Sequence, residues 1–285
     1  MTTETRALDH FVVLVLAPDP AGVAWEKLGF QVLPKMRHLS VGSANRIIQL
    51  GHNYIELVGD MDRAIPSVRD HYLPRFSQGE GLANISFNSR NLEADRALIE
   101  QHGVRTGPIT SARRPIVMPD GTNSETDSDF FYPERPGQAF MSPFLSMHKR
   151  PETIFTPEYQ RHANTALDVI GVTCASVAPA DDAAFFAIMA STRPQEIDGG
   201  FRLALAQGGS IDILTPDAIR RTYDNLAPSL PDSGSGFGVG LTVRVGSLEA
   251  CRKSITQDLV VVDRLNSLSV PAALASGTFL RFVEA

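Results

Sequence analysis

His10 is the first residue of this sequence whose chemistry asks for an explanation. It lies in Leu8-Asp-His-Phe-Val-Val-Leu-Val15, an otherwise apolar run. Alternation at period two puts Leu8, His10, Val12 and Leu14 on one face and Asp9, Phe11, Val13 and Val15 on the other, so both faces of the predicted strand are covered. A buried imidazole needs a partner. A metal ion would serve, and the nearest acidic group in a comparable setting is Glu56, in Asn53-Tyr-Ile-Glu-Leu-Val-Gly59. A carboxylate among Ile55, Leu57 and Val58 is costly to bury without a cation. Two plainer accounts stay open: a core histidine bonded to a backbone carbonyl, and an ion pair between Glu56 and Arg46 across the Gly51 turn.

The elements that must position these groups follow from pattern and punctuation. After the first strand, Ala17-Pro-Asp-Pro20 opens a helix, with Asp19 as N-cap, that stops at Gly29. Strands are expected at Phe30–Leu33, Ala44–Leu50 and around Glu56. A second unit repeats this order: a strand at Leu82–Asn88, a helix from Asn91 to His102, then strands in Gly107–Met118, at Phe130–Tyr132 and at Pro143–His148. In the Leu82–Asn88 strand, Asn84, Ser86 and Asn88 share a polar face, as expected of a strand lining a cavity. Pro119–Ser128 reads as a polar turn or mobile lid. Lys149–Thr165, rich in charge and proline, reads as a connector.

Beyond it the chain starts again. Leu167-Asp-Val-Ile-Gly-Val172 echoes Leu8-Asp-His-Phe-Val-Val13, and Ser210-Ile-Asp-Ile-Leu214 echoes Asn53-Tyr-Ile-Glu-Leu57. Ser247-Leu-Glu-Ala-Cys-Arg-Lys-Ser-Ile255 matches Asn91-Leu-Glu-Ala-Asp-Arg-Ala-Leu-Ile99 at five of nine positions. The offsets, 159 from Leu8 to Leu167 and 156 from Asn91 to Ser247, agree closely, so the third unit copies the first and the fourth copies the second. The expected organisation is α+β: four tandem βαβββ modules in two domains, residues 1–150 and 166–285, joined by residues 151–165.

Composition narrows the function. A net charge of −6 with scattered basic residues argues against a nucleic-acid surface. No apolar run of membrane-spanning length occurs, and Met1–Arg6 lacks the features of a signal peptide, so a cytoplasmic protein is expected. Cys174 and Cys251 form no metal-binding or redox motif and read as core residues. The expected partner is a small molecule.

Four strand-helix-strand-strand-strand units, a first strand with Leu-Asp-His and a closing strand with Tyr-Ile-Glu-Leu together resemble the glyoxalase-like branch of the vicinal oxygen chelate superfamily. The segment Arg46–Gly59, the strand ending in His148 and the run Pro157-Glu-Tyr-Gln-Arg-His162 resemble that branch too. The resemblance implies paired modules forming a curved sheet whose concave side holds a divalent ion. Carried over by position, it gives His10, Glu56 and His148 as ligands, with Asn84 where a further ligand would stand. It further implies a role for Glu56 as ligand and catalytic group, and for His148 as ligand or base. Asn45, Arg46 and Asn84 would orient the substrate. Arg113 and Arg114, read from the residues alone, are adjacent cations of the kind usual at a solvated edge, though one could grip a carboxylate substrate. Iron, manganese, zinc or nickel would suit two imidazoles and a carboxylate. In the second half Val169 replaces His10, Gly240 replaces Asn84 and only Asp212 remains acidic, so that half is expected to be a metal-free shell. The function expected from the resemblance is a metal-dependent lyase, isomerase or dioxygenase acting on a small molecule with neighbouring oxygens. A metal-free binding protein of the same fold is the alternative, and self-association is common in the fold. His38, His52, His71, His102 and His162 read as surface residues, with His162 placed to fold back over the cavity.

Overall fold

A computed structural model describes residues 4–39, 41–65, 72–135, 141–230, 237–257, 259, 261–264 and 266–285. Two eight-stranded sheets carry the chain. The first is built from β1 (Leu8–Leu14), β2 (Met36–Arg37), β3 (Ala44–Gln49), β4 (Tyr54–Gly59), β5 (Gly81–Asn88), β6 (Thr110–Val117), β7 (Asn123–Phe131) and β8 (Ser142–His148). Helices α1 (Pro18–Glu26), α2 (Leu73–Phe76) and α3 (Leu92–Gln101) accompany them. The strand order is β2-β3-β4-β1-β5-β8-β7-β6. The first strands of the two modules, β1 and β5, pair antiparallel at the centre, and each pairs in parallel with the last strand of its own module.

The second sheet repeats this plan with β9 (Ala166–Ala175), β10 (Pro194–Ile197), β11 (Gly200–Ala204), β12 (Ser210–Leu214), β13 (Phe237–Val245), β14 (Val262–Arg264), β15 (Ser267–Val270) and β16 (Phe279–Glu284). Its order is β10-β11-β12-β9-β13-β16-β15-β14, with α4 (Pro179–Ala190), α5 (Pro216–Tyr223) and α6 (Leu248–Ser254). Each half is therefore two βαβββ modules, as the sequence echoes predict. The echoed helices α3 and α6 start alike, Asn91 accepting from the Ala94 N–H and Ser247 from the Ala250 N–H.

One face of the first sheet supplies Phe11, Val13, Ile55, Leu57, Ile85 and Phe87 to a core continuous with Val172, Phe186, Ile211 and Leu241 of the second half. Fully burying a side chain of this kind contributes about 1.5–3 kcal/mol, so this shared core couples the two halves. The other face bears Val12, Val58, Ala83 and Phe144 in one cluster and Ile47, Tyr54 and Ile116 in another, and Val12, Ile47, Tyr54, Val58 and Phe144 of these line a cavity. No helix among the described residues is long and apolar enough to cross a membrane.

Four local expectations are corrected. Phe30–Leu33 is not a strand: the Leu33 N–H bonds the Ile47 carbonyl at 2.8 Å, but Arg46 takes the carbonyls of Val32 and Leu33, Pro34 offers no N–H, and the strand on that edge starts at Met36. Asp19 does not cap α1. Ala17 holds the N-cap position without a side-chain bond, and Asp19 pairs with Lys35 at 2.7 Å. Pro119–Ser128 is mostly strand, because β7 begins at Asn123 and the β6–β7 turn needs only the residues around Gly121, whose φ is +83°. The connector is a packed brace: the Thr156 N–H donates to Gln49 Oε1 at 2.9 Å, and His162 is buried with Nε2 donating to the Gln49 carbonyl at 2.8 Å. Nδ1 of His162 accepts from the Gln31 N–H at 3.0 Å, so this ring is structural.

Candidate metal centre and cavity

The site begins at an irregularity in β1. Leu8 pairs with Phe87 and His10 with Ser86, so one extra residue, Asp9, stands on β1 at this point. A bulge of this kind breaks the strict alternation of faces. Asp9 and His10 consequently reach the same neighbours: His10 Nδ1 lies 2.6 Å from Asp9 Oδ2, and His148 Nε2 lies 3.0 and 3.1 Å from the two Asp9 oxygens. Ser146, two residues before His148 on β8, donates to Asp9 Oδ2 at 2.7 Å, and Ser86 in turn bonds Ser146 at 2.7 Å. Ser128 on β7 holds His148 Nδ1 at 2.7 Å, and the β7–β8 register sets Ser128 opposite His148. The His10 ring stacks on Tyr54 at 4.5 Å and meets Phe144 edge-on at 5.0 Å, leaving Nε2 without a hydrogen bond among the described residues.

Charge is concentrated at this point. Burial alone would push the Asp9 carboxyl up. The charge of His148 and the hydrogen bonds of both imidazoles outweigh burial and hold the group well below the usual carboxylate range. Burial likewise disfavours imidazolium at His148, but the Asp9 charge, their hydrogen bond and the Glu56 charge outweigh it and raise its pKa. Asp9, His10 and His148 each offer one ligand atom within 4.8 Å of the others. Atoms bound about 2.1 Å from one ion lie at most about 4.2 Å apart. The donor set, a carboxylate and two imidazoles, suits a divalent ion, which would require any pair separated by more than that to draw together.

Beside this group opens a cavity enclosing about 900 Å³, part of it open to solvent. Glu56 lines it and makes no hydrogen bond or ion pair among the described residues. It does not join the three-residue group. The reason is register: β4 pairs Val12 with Glu56 and His10 with Tyr54, which sets Glu56 two residues further along the sheet than His10. Of the three predicted ligands, then, the structure brings His10 and His148 together, with Asp9 as the carboxylate between them.

The remaining predicted residues divide by face. Arg46 lies opposite Leu57 on the face away from the cavity and pairs with Glu26 at 2.7 Å, not with Glu56. Asn45 is buried behind the cavity wall, where Oδ1 accepts from Arg114 Nε and Nδ2 contacts His38 Nε2 at 3.3 Å. Asn84 donates to the Ser142 carbonyl at 3.4 Å, its Oδ1 is buried without a partner, and it is not among the cavity residues. Arg113 sits at the exposed rim beside Glu125. Its neighbour Arg114 points inward, is buried, and lines the cavity. Burial lowers the Arg114 pKa to about 10 even though Glu56 and Tyr54 favour its charge.

His38, expected on the surface, also lines the cavity, with Nδ1 bonded to Ser43 at 2.9 Å. Because the Asn45 oxygen is committed to Arg114, its amide nitrogen faces His38, which makes Nε2 the acceptor. Burial lowers the His38 pKa, against the Glu56 charge, so the ring is neutral at neutral pH. His71 lies outside the described residues. In the second half Asp212 makes a two-pronged bond to Arg202 at 2.6 and 2.7 Å, and no group of three metal-ligating side chains occurs there among the described residues.

Asp9, Arg114 and His38 are the site residues that sequence reasoning passed over or left undecided. The doubled Leu-Asp at positions 8–9 and 167–168 was a signal for Asp9. In the second half Asp168 is also a bonding hub, accepting from Arg244 at 2.6 Å and from the His52 N–H at 2.7 Å.

A search of curated protein sequences finds no match. Solved structures share the fold at low identity. A hypothetical protein from Staphylococcus aureus superposes with a TM-score of 0.67 at 12% identity, covering 98% of this chain and 99% of that one. A triple mutant of 4-hydroxymandelate synthase from Streptomyces coelicolor gives 0.56 at 10%, covering 99% and 93%. A variant of homoprotocatechuate 2,3-dioxygenase from B. fuscum gives 0.56 at 9%, covering 99% and 72%. At such identities the likeness is one of fold. The profile of the glyoxalase-like domain matches residues 8–191, well over half the chain. With its paired βαβββ modules, this chain belongs to the glyoxalase-like domain family of the vicinal oxygen chelate superfamily.

Proposed function

We propose that this chain is a metal-dependent enzyme acting on a small organic molecule that presents two neighbouring oxygens. The observation that carries the reading is the convergence of Asp9, His10 and His148, of which His10 also lines a cavity walled largely by aromatic and aliphatic side chains. These three residues would hold the ion. Iron, manganese, zinc or nickel there would supply Lewis-acid polarisation of the substrate oxygens. The chain's own groups do the rest. Tyr54, Phe130 and Phe144 exclude water and pack the substrate body. Glu56, which lines the cavity without a hydrogen bond among the described residues, is placed to take a proton from the substrate and return it, which favours isomerase or lyase chemistry over oxygen-dependent cleavage. Ser128 fixes the His148 ring through Nδ1, leaving Nε2 directed at the centre.

A second reading has its own support. Asp9 accepts from His10, Ser146 and His148 at once, so the buried carboxylate is fully satisfied by side chains. A metal-free protein that binds its ligand in the cavity is compatible with that network. Metal analysis separates the two: untagged protein purified without chelator is compared with its His10→Ala and Asp9→Asn variants. Stoichiometric metal in the wild type, lost in both variants, supports the enzyme. Metal at trace level in all three refutes it.

A further inference from the structure

Arg114 is a buried cation whose side chain has only neutral partners among the described residues. Nε donates to Asn45 Oδ1, Nη1 to the Pro115 carbonyl at 3.3 Å and Nη2 to the Pro34 carbonyl at 3.2 Å. A guanidinium carries five N–H donors, so two are left over. Only 2% of the residue is exposed, yet it lines the cavity. The Glu56 charge favours the cation without forming an ion pair with it, so burial is still incompletely offset, and an anion that arrives with the ligand offsets that cost. Arg113, by contrast, is exposed and has Glu125 at hand, so it carries no comparable demand.

The rest of the lining limits what the anion is attached to. Tyr54, Tyr72, Phe130, Tyr132 and Phe144 make the cavity aromatic, and faces and edges of this kind favour a planar ring. The described part of the cavity holds one carboxylate, Glu56, which would repel a second negative group and accept a hydrogen bond from a hydroxyl or amine. We infer that the cavity takes an aromatic carboxylate, its acid group paired with Arg114 and its ring among the aromatic side chains.

This inference names the substrate class of the site proposed above, and it is tested without the metal. Protein stripped by chelator and dialysed is titrated calorimetrically with benzoate and phenylacetate, with their neutral amides, and with acetate. The acids are expected to bind about tenfold or more tighter than their amides, as a charge-assisted bond to a buried guanidinium requires. Acetate, lacking the ring, is expected to bind at least as much more weakly. Arg114→Gln is expected to abolish the preference for acid over amide, and Arg113→Gln to preserve it. Should Arg114→Gln fail to fold, the acid-against-amide comparison on the wild type still decides. Equal binding of acids and amides, no binding by either, acetate as tight as benzoate, or a preference lost only in Arg113→Gln would each overturn the inference. Acid binding that depends on Arg114 in a protein found to hold no metal would uphold it while defeating the metal reading, so the two failures are distinct.

Discussion

Replacing Asp9 by Asn keeps the side chain's shape and removes the charge on which the site is built. Asp9 is 4% exposed and faces three donors, His10, Ser146 and His148. An amide presents one acceptor and two donors, so at least one of those neighbours would face an N–H. Removing one partner of a buried, hydrogen-bonded ion pair costs about 3–5 kcal/mol, a large part of the roughly 5–15 kcal/mol that holds a domain folded. The pH dependence identifies the cause. Asp9 has a depressed pKa in the folded protein, so its contribution is present above the unfolded value of about 3.9 and is lost as pH falls toward the folded one. His148 has a raised pKa, so its contribution is full below about 6.5 and is lost as pH rises through the folded value. The gap in stability between wild type and Asp9→Asn should therefore be widest between about pH 4 and 6.5 and narrow toward alkaline pH. Urea unfolding of metal-free protein across that range measures it. NMR titration should also show the His148 pKa falling in the variant, where burial is no longer outweighed. A stability loss below about 1 kcal/mol, or one flat with pH, would refute the buried ion pair.

Other outcomes follow from the same geometry. Glu56→Gln should fold normally, since Glu56 makes no hydrogen bond or ion pair among the described residues, while turnover should drop by about 10²- to 10⁴-fold if Glu56 moves the substrate proton; unchanged turnover removes it from that role. His162→Ala should lower stability by about 1–3 kcal/mol by orphaning the Gln49 carbonyl and Gln31 N–H, and should leave metal content alone, as paired denaturation and metal assays would show. Asp212→Asn breaks a half-exposed pair with Arg202 and should change stability by about 1 kcal/mol or less, with metal content again unaffected; loss of metal there would place the centre in the wrong half.

Much of this architecture could be read from local pattern. The paired echoes, Leu8-Asp with Leu167-Asp and Asn91-Leu-Glu-Ala with Ser247-Leu-Glu-Ala, mark first strands and helices whose alternation and caps are local properties, and they identified the modules. The errors arose where partners distant in sequence decide. Strict alternation puts Asp9 on the face opposite His10, but the bulge that breaks it is set by pairing with β5, 76 to 79 residues away by the Leu8–Phe87 and His10–Ser86 register. β7 was hidden because Asn-Ser-Glu-Thr-Asp-Ser has the composition of a turn. Its Thr126, Ser128 and Phe130 form a cavity wall, where polar alternation suits a strand. Alternation places Arg113 and Arg114 on opposite faces of β6, but which face is inward depends on the sheet's curvature, and the structure turns Arg114 inward.

Anomalous diffraction from crystals of untagged protein, collected at the absorption edge of whichever metal it carries, shows whether Asp9, His10 and His148 share one ion. For a shared ion, one strong peak is expected about 2.0–2.3 Å from an Asp9 oxygen and from a nitrogen of each imidazole. A peak held by Glu56 without Asp9, or no peak in metal-supplemented crystals with Asp9 still bonded to both rings, would contradict it.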